Sequence, residues 1–450
     1  MSETTELATR PTISSDPYRG LIWAEETFGP EAQWTYEPEI SAIERTIQSL
    51  RPSNTTQVRF LAEGAFNKIY HVQLDDETLI MRVSLPVHPV YKTRSEVATV
   101  DWIRHVTDIP TPRIIAYNDT RESEIGFEWI LMTEVPGKPL ADLWQCLSIA
   151  AKSDLVKKFA GFSISLWRNQ LKGIGNIYPP SVTANEKASA GDPAASGSPE
   201  HLVNAVPKTG QIVSLEFLWG SHARRNVNRG PFLSSQDWME ARLAFAKNDC
   251  QEILAKYPAG DDLDSDAEDE LEATTRTLAL IEKLENIFPR VFPLDKYVPE
   301  PSVVFHDDLS QHNILVSEKG ELTGVLDWEC VSALPLWKAC YYPTFLYGRP
   351  RDTKPNIEMY DRGNPPPGSA FWEHLHDYEV TLLRGVFLDE MRKSEPGWVN
   401  IFDMSHLRRD FDTAVQYFDN GIVRHIIEKW VEDVTAGNEN PQSLRDSLGC

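Results

Sequence analysis

The sequence predicts an α+β fold of two lobes, a small β-rich first lobe and a larger, mainly helical second one, and three features carry that prediction. Between Val58 and Val83 apolar and polar residues alternate in short runs, the period of half-buried strands. From Leu155 onward apolar residues recur every three or four positions over long stretches, the period of amphipathic helices. Between the two, Glu134-Val135-Pro136-Gly137-Lys138-Pro139-Leu140 breaks both patterns, as a hinge does.

The 450 residues, 41% hydrophobic and 25% charged, suit a globular chain long enough to bury a sizeable core. A formal net charge of −23 disfavours non-specific binding to nucleic acid or to an anionic membrane, and fits either a cationic substrate or plain solubility. Cys146, Cys250, Cys330, Cys340 and Cys450 are scattered without zinc or disulfide spacing, which points to a reducing compartment. No apolar run is long enough to span a bilayer. Residues Met1 to Asp16 have no apolar core and mix acids with Arg10, unlike a signal peptide or a mitochondrial presequence, so a cytoplasmic location is expected.

In chain order, 1–15 reads as a disordered N-terminus and 16–135 as the first lobe. Trp23, Phe28, Trp34 and Tyr36 lead into Ile40, Ile43, Ile47 and Leu50, one stripe of a helix. Strands follow at Val58–Ala62, Ile69–Leu74 and Leu79–Val83, the last two joined by the turn Asp75-Asp76-Glu77. The turn from Glu63 to Lys68 carries one glycine, Gly64, and is either an ordinary hairpin or a cradle of backbone N–H groups for phosphates. On the third strand Leu79, Met81 and Val83 share one face, and Ile80, Arg82 and Ser84 the other. Thr93–Val106 reads as a helix with Glu96 in its first turn, stopped by Pro110 and Pro112. Ile114–Tyr117 and Trp129–Thr133 complete the sheet.

The second lobe, 136–434, opens with a helix carrying Leu155, Phe159, Phe162, Ile164 and Trp167. An irregular insert near 179–210 is rich in Ser, Ala, Gly and Pro. Helices at Ser235–Tyr257 and Glu270–Ile287 flank an acidic insert near 258–270, which lacks the glycine of a calcium loop and reads as solvated. Leu334–Leu346 is apolar enough to be buried, 349–368 is loop, Phe371–Met391 and Phe411–Val431 read as two terminal helices, and 435–450 as a flexible C-terminus.

The chemistry concentrates between Val303 and Glu329. An apolar run enters, a polar loop carries His306, Asp308 and Asn313, a second apolar run leaves, and a third delivers Asp327, Trp328 and Glu329. Carboxylates converging from a loop held between short strands suit phosphoryl transfer, in which one orients an acceptor hydroxyl while an Asn and another Asp hold magnesium. His-x-Asp-x-x-x-x-Asn, Ile-Leu-Val and Leu-Asp-Trp-Glu together resemble the catalytic and metal-binding loops of the aminoglycoside phosphotransferase and choline kinase family. Protein kinases share the first motif but continue with Asp-Phe-Gly and an activation loop, whereas Asp327-Trp328-Glu329 runs directly to Pro335-Leu336-Trp337. Arg229-Gly230-Pro231 and Tyr378 to Arg384 resemble a branch of the family abundant in filamentous fungi, and the resemblance covers Asp16 to Val434.

The resemblance implies a two-lobed protein-kinase-like fold and an ATP-dependent phosphotransferase, with GTP left open, that moves the γ-phosphate to a hydroxyl of a small molecule. The acceptor would be aminoglycoside-, choline- or metabolite-like. Asp308 would be the catalytic carboxylate, and Asn313 and Asp327 the Mg2+ ligands. Gly64, Phe66 and Asn67 match a nucleotide loop, Arg82 stands where the family has a lysine for the phosphates, Glu96 pairs with it, and Thr133 and Val135 meet the adenine edge. The alternatives for Arg82 and Glu96 are a surface arginine and an acid favoured by a helix N-terminus. His306 would brace the loop rather than act as base, and Asp307 faces solvent or else raises the pKa of Asp308. The segment from Trp219 to Phe232 would wall the acceptor pocket or brace the lobe. A second reading is a catalytically weak nucleotide-binding pseudokinase scaffold, suggested by Arg82 and the sparse glycines and opposed by intact Asp308, Asn313 and Asp327.

Overall fold

A computed structural model of the chain describes residues 16–448 apart from 27–28, 180–205, 258–262, 294–297, 361–362, 367 and 439–440. The expectations for 1–15 and for most of the 179–210 insert lie outside the described residues.

The first lobe begins with an antiparallel hairpin, β1 (Leu21–Glu26) and β2 (Gly29–Trp34), where the sequence pattern suggested no element. Next comes α1 (Ile40–Leu50), whose buried face is Ala42, Ile43 and Ile47. A five-stranded antiparallel sheet follows: β3 (Gln57–Glu63), β4 (Asn67–Gln73), β5 (Thr78–Ser84), then helix α2 (Tyr91–Val106), then β6 (Ile114–Asn118) and β7 (Glu128–Thr133). Its strand order is β3-β4-β5-β7-β6, so β5 is central. The alternation on β5 sorts as the period of two requires: Leu79, Met81 and Val83 are fully buried with Ile43 and Ile47, while Ile80 and Arg82 look into the cleft.

The second lobe contains β8 (Lys138–Pro139), α3 (Leu140–Leu143), α4 (Ile149–Arg168), β9 (Leu171–Lys172), β10 (Ile177–Tyr178), β11 (Lys208–Thr209), α5 (Leu215–Leu218), α6 (Ser235–Ala255) and α7 (Ser265–Val291). The stretch 301–335 is built on β12 (Pro301–Phe305), β13 (Ile314–Val316), β14 (Leu322–Val325) and β15 (Ser332–Pro335). Five helices and a short terminal one close the lobe: α8 (Leu336–Ala339), α9 (Ala370–Ser394), α10 (Pro396–Met404), α11 (His406–Tyr417), α12 (Arg424–Thr435) and α13 (Leu444–Leu448).

Helix α2 belongs by packing to both lobes. Its Val97, Val100 and Ile103 share one apolar cluster with Leu155 and Phe159 of α4, Val304 of β12, Ile314 of β13, and Phe387 of α9. That shared core fixes the position of α2, and of Glu96 on it, relative to the loop between β12 and β13. A second cluster joins α6, α7, α11 and α12 around Phe292, Trp337 and Phe411.

Three expectations are corrected. Residues Ser265–Glu270 of the acidic insert are helical: the Asp264 carboxylate accepts the Ala267 N–H at 2.9 Å, and Asp266 and Glu268 sit at the positive end of the helix, where acids stabilise it. The expected helix Phe411–Val431 is two helices, interrupted after Tyr417 near Asn420-Gly421. The C-terminal stretch is packed in part: Leu444 is 1% exposed, and the Arg445 guanidinium lies 4.4 Å from the centre of the Tyr341 ring.

Candidate active site

The loop from His306 to Asn313 hangs between β12 and β13 and is pinned at several points. The Thr344 hydroxyl donates to the Asp307 carbonyl at 2.9 Å and accepts the Leu309 N–H at 3.1 Å. The Asn313 amide donates to the Asp308 carbonyl at 2.8 Å and to its carboxylate at 3.1 Å. His306 is buried against Trp328, its ring N–H donating to the Leu326 carbonyl at 3.1 Å, and burial pushes its pKa down, so it is a neutral tie between two loops. In return the Leu326 N–H donates to the Asn313 carbonyl at 2.8 Å. Asp327 follows with φ of 60°, a left-handed conformation that a non-glycine residue adopts at some cost and that recurs at functional sites. Burial, and then the neighbouring Glu329, push the Asp327 carboxyl up.

Facing this loop, Arg82 of β5 is 6% exposed and ion-paired with Glu96 of α2, which is 3% exposed. The surface alternative for Arg82 is thereby excluded. Beside the pair lies a second one. The Glu329 carboxylate is 2.5 Å from the Lys92 ammonium, accepts the Asn67 amide at 2.8 Å and lies 3.9 Å from Arg82. Burial works to raise the Glu329 pKa, but Lys92 and then Arg82 outweigh it and hold the carboxyl well below the usual range.

The β3–β4 turn differs in detail from its expected nucleotide role. The Asn67 side chain is committed to Glu329, Lys92 and the Ser84 hydroxyl. Phe66 is 3% exposed, wedged between Trp23 and Trp219 at ring separations of 6.3 and 5.9 Å. Gly64 alone has open space: a Cβ there would meet nothing within 4 Å. At the hinge, the Thr133 N–H donates to the Arg113 carbonyl at 3.0 Å, so it is a rung of the sheet, and Val135 packs over Gly324.

Even so, one cleft of about 1380 Å³ is lined by every candidate residue: Gly64, Phe66, Asn67, Arg82, Glu96, Thr133, Val135, Asp308, Asn313 and Asp327. Its far side is bordered by Trp219, Trp238 and a buried triad in which Asp412 of α11 bridges Arg242 of α6 and, at 2.6 Å, Lys338 of α8. The Trp219–Phe232 segment braces the lobe and also reaches the cleft. Trp219 and His222 face the cleft, while Arg225 pairs with Asp249 and Arg229 donates to the carbonyls of His222 and Arg225 at 2.6 and 2.9 Å. Lys92 and Glu329 received no role from the sequence, although Lys92 precedes Glu96 by four residues, the spacing that puts both on one helix face.

A β-rich lobe, a hinge and a helical lobe enclosing a cleft with paired Arg82 and Glu96 on one side and Asp308, Asn313 and Asp327 on the other define the kinase-like class of folds. The chain belongs to the phosphotransferase enzyme family, whose model matches residues 57–169 and 223–337, half of the sequence. Among curated proteins it is 26% identical to a subtelomeric hrmA-associated cluster protein of Aspergillus fumigatus, over 64% of this chain and 60% of that protein. It is also 26% identical to clavilactone A biosynthesis cluster protein Y of Ampulloclitocybe clavipes, over 78% of each chain. A third relative is altered inheritance of mitochondria protein 9, mitochondrial, of Saccharomyces cerevisiae, 25% identical over 72% of this chain and 56% of that one. The chain thus spans about three fifths of the Aspergillus relative. Among solved structures, a thermostable mutant of aminoglycoside phosphotransferase APH(4)-Ia in ternary complex with ADP and hygromycin B covers 89% of this chain and is itself covered in full, at 13% identity and a TM-score of 0.42, a likeness too loose to carry an argument. No helix among the described residues is long and apolar enough to cross a membrane.

Proposed function

We propose that this cleft transfers the terminal phosphoryl group of ATP to a hydroxyl of a small molecule. The observation that carries the reading is the convergence of Asp308, Asn313 and Asp327 on the same cleft as the buried Arg82–Glu96 pair. Asp308 projects from the loop where an acceptor hydroxyl can reach it; it orients that hydroxyl and takes its proton as the new P–O bond forms. Arg82, set by Glu96, presents a guanidinium fork to phosphate oxygens.

The donor set fits Mg2+. The Asn313 amide nitrogen is occupied on Asp308, which leaves its carbonyl oxygen as the free donor, and Asp327 adds a carboxylate; both are hard oxygen ligands. When bound, the ion neutralises phosphate charge. Two protein ligands leave the remaining positions to phosphates and water, the usual arrangement for this ion. One relative bears the name of a biosynthesis cluster protein, which favours a metabolite-like acceptor over a polypeptide.

Calorimetric titration of ATP with and without Mg2+, on the wild type and on Asp327→Ala, tests the site. Binding that requires Mg2+ and weakens at least about tenfold in the variant is expected, a loss of about 1.4 kcal/mol or more. Transfer is then read with an acceptor panel, Asp308→Asn serving as the inactive control. Nucleotide binding indifferent to both Mg2+ and Asp327 would leave a binding scaffold in place of an enzyme.

A further inference from the structure

Lys92 is a buried cation of this region that the reaction scheme does not use. It lies in the first turn of α2, where the helix dipole disfavours a positive charge, and it is 2% exposed. An ammonium in such a place needs an acceptor for each of its three protons, and it has three: Glu329 at 2.5 Å, the Asn67 side-chain oxygen at 3.1 Å and the Ser84 hydroxyl at 3.5 Å. Lys92 does not line the cleft, so it does not touch a ligand there.

The geometry points to Lys92 as a positioning residue of the phosphate site: by holding Glu329 it keeps that carboxylate off Arg82, leaving the guanidinium free for the nucleotide. The inference rests on the proposed reading of the cleft as a nucleotide site. In the close ion pairs Arg82 holds Glu96 and Lys92 holds Glu329, one cation to each acid, while Asp327 is a third carboxylate on which both cations act. Without Lys92, two carboxylates would face the one guanidinium, and Glu329 starts only 3.9 Å from it. Incoming phosphates would then compete with both for the same N–H donors. Glu329 also lies two residues beyond Asp327, so its attachment to Lys92 and Asn67 ties the end of the metal-binding loop to the first lobe.

The test is a double-mutant cycle on the full chain, read as ADP affinity by calorimetry in excess Mg2+, with wild type, Lys92→Met, Glu329→Gln and the double variant. Lys92→Met should weaken ADP binding about tenfold when Glu329 is present and less than about threefold when it is Gln, because the harm comes from the released carboxylate. Lys92→Arg should recover most of the loss. A purely structural lysine would instead give the same loss in both backgrounds, and that result, or no loss in either, overturns the assignment. Should Lys92→Met alone not fold, the comparison of Glu329→Gln with the double variant decides: a tenfold difference between those two overturns it, near-equality supports it. Absence of ADP binding by the wild type removes the nucleotide reading and the role of Lys92 with it, whereas wild-type binding with an additive cycle removes only the latter.

Discussion

Replacing Asp412 by Asn should destabilise the protein by about 3 kcal/mol at pH 7, near the lower end of the range for breaking a buried ion pair. Asp412 is 1% exposed, with Lys338 on one carboxylate oxygen at 2.6 Å and Arg242 on the other. Arg242 keeps a second carboxylate, Glu216, at 2.7 Å, so it is not stranded by the change. Lys338 has no other ion pair among the described residues, and its buried ammonium is left facing an amide. One stranded charge rather than two places the effect at the low end. Burial works to raise the Asp412 pKa, but Lys338 and then Arg242 outweigh it and hold the carboxyl far below its ordinary value. A depressed carboxylate contributes fully above the unfolded value of about 3.9 and loses its contribution as pH falls towards the folded value. The gap between wild type and variant is therefore widest at neutral pH and narrows by about 1.4 kcal/mol per pH unit below about pH 4. Urea unfolding of both proteins across that range measures it. A gap under about 1 kcal/mol at pH 7 would refute the reasoning, since it would mean that water reaches the triad. The control is to remove all three charges, Arg242→Met, Asp412→Leu and Lys338→Met, which should recover most of the loss because no buried charge then lacks a partner; Glu216 is one-third exposed and is taken up by solvent.

Two further outcomes follow from single residues. His88 is 7% exposed and stacked on Tyr91, and burial, then Arg229, push its pKa down to about 4, so the unfolded chain binds the proton more tightly. Stability is unaffected above about pH 6.5 and should drop by about 2 kcal/mol between pH 7 and 5, a slope that His88→Gln abolishes in paired denaturation curves; identical slopes would contradict it. Gly137 at the hinge has φ of 134°, and a Cβ there would lie 2.3 Å from the Thr323 hydroxyl and 3.1 Å from the Val316 carbonyl, so Gly137→Ala should lower stability by about 2 kcal/mol or more, and a loss under about 0.5 kcal/mol would show that the hinge yields.

What the sequence made legible is what short-range pattern encodes. Strands β4 and β5 announce themselves because Tyr70, Val72, Leu79 and Met81 on one face are buried while Ile69, His71 and Ile80 on the other are only partly so, and the period of two survives in the letters. The hairpin of β1 and β2 does not, because its anchors are distant. Trp23 packs on Trp219 at 5.3 Å, and the Tyr18 hydroxyl donates to the Ala223 carbonyl at 2.8 Å, across some two hundred residues of chain. The acids from Asp264 to Glu270 misled for a local reason: a charge run reads as solvated loop, whereas at a helix N-terminus the same charges cap and stabilise.

The candidate site divides along the same line. The geometry of Asp308, Asn313 and Asp327 is built within one short loop–strand–strand segment, so motif and structure coincide there. On the first-lobe side, matching letters did not ensure matching side-chain directions. Phe66 and Asn67 sit in the turn that the resemblance assigns to a nucleotide loop, yet the ring goes to Trp219 and the amide to Glu329, 262 residues further along the chain. An arginine in place of a lysine on β5 reads alone as a loss. In the fold it stands beside a lysine one helical turn before its partner glutamate, and each of the two cations pairs with an acid that no local pattern connects to it. A substitution in a charged site can therefore be judged only against every charge packed upon it, because burial makes each uncompensated one costly and leaves the fold to supply the counter-ion from wherever the chain returns.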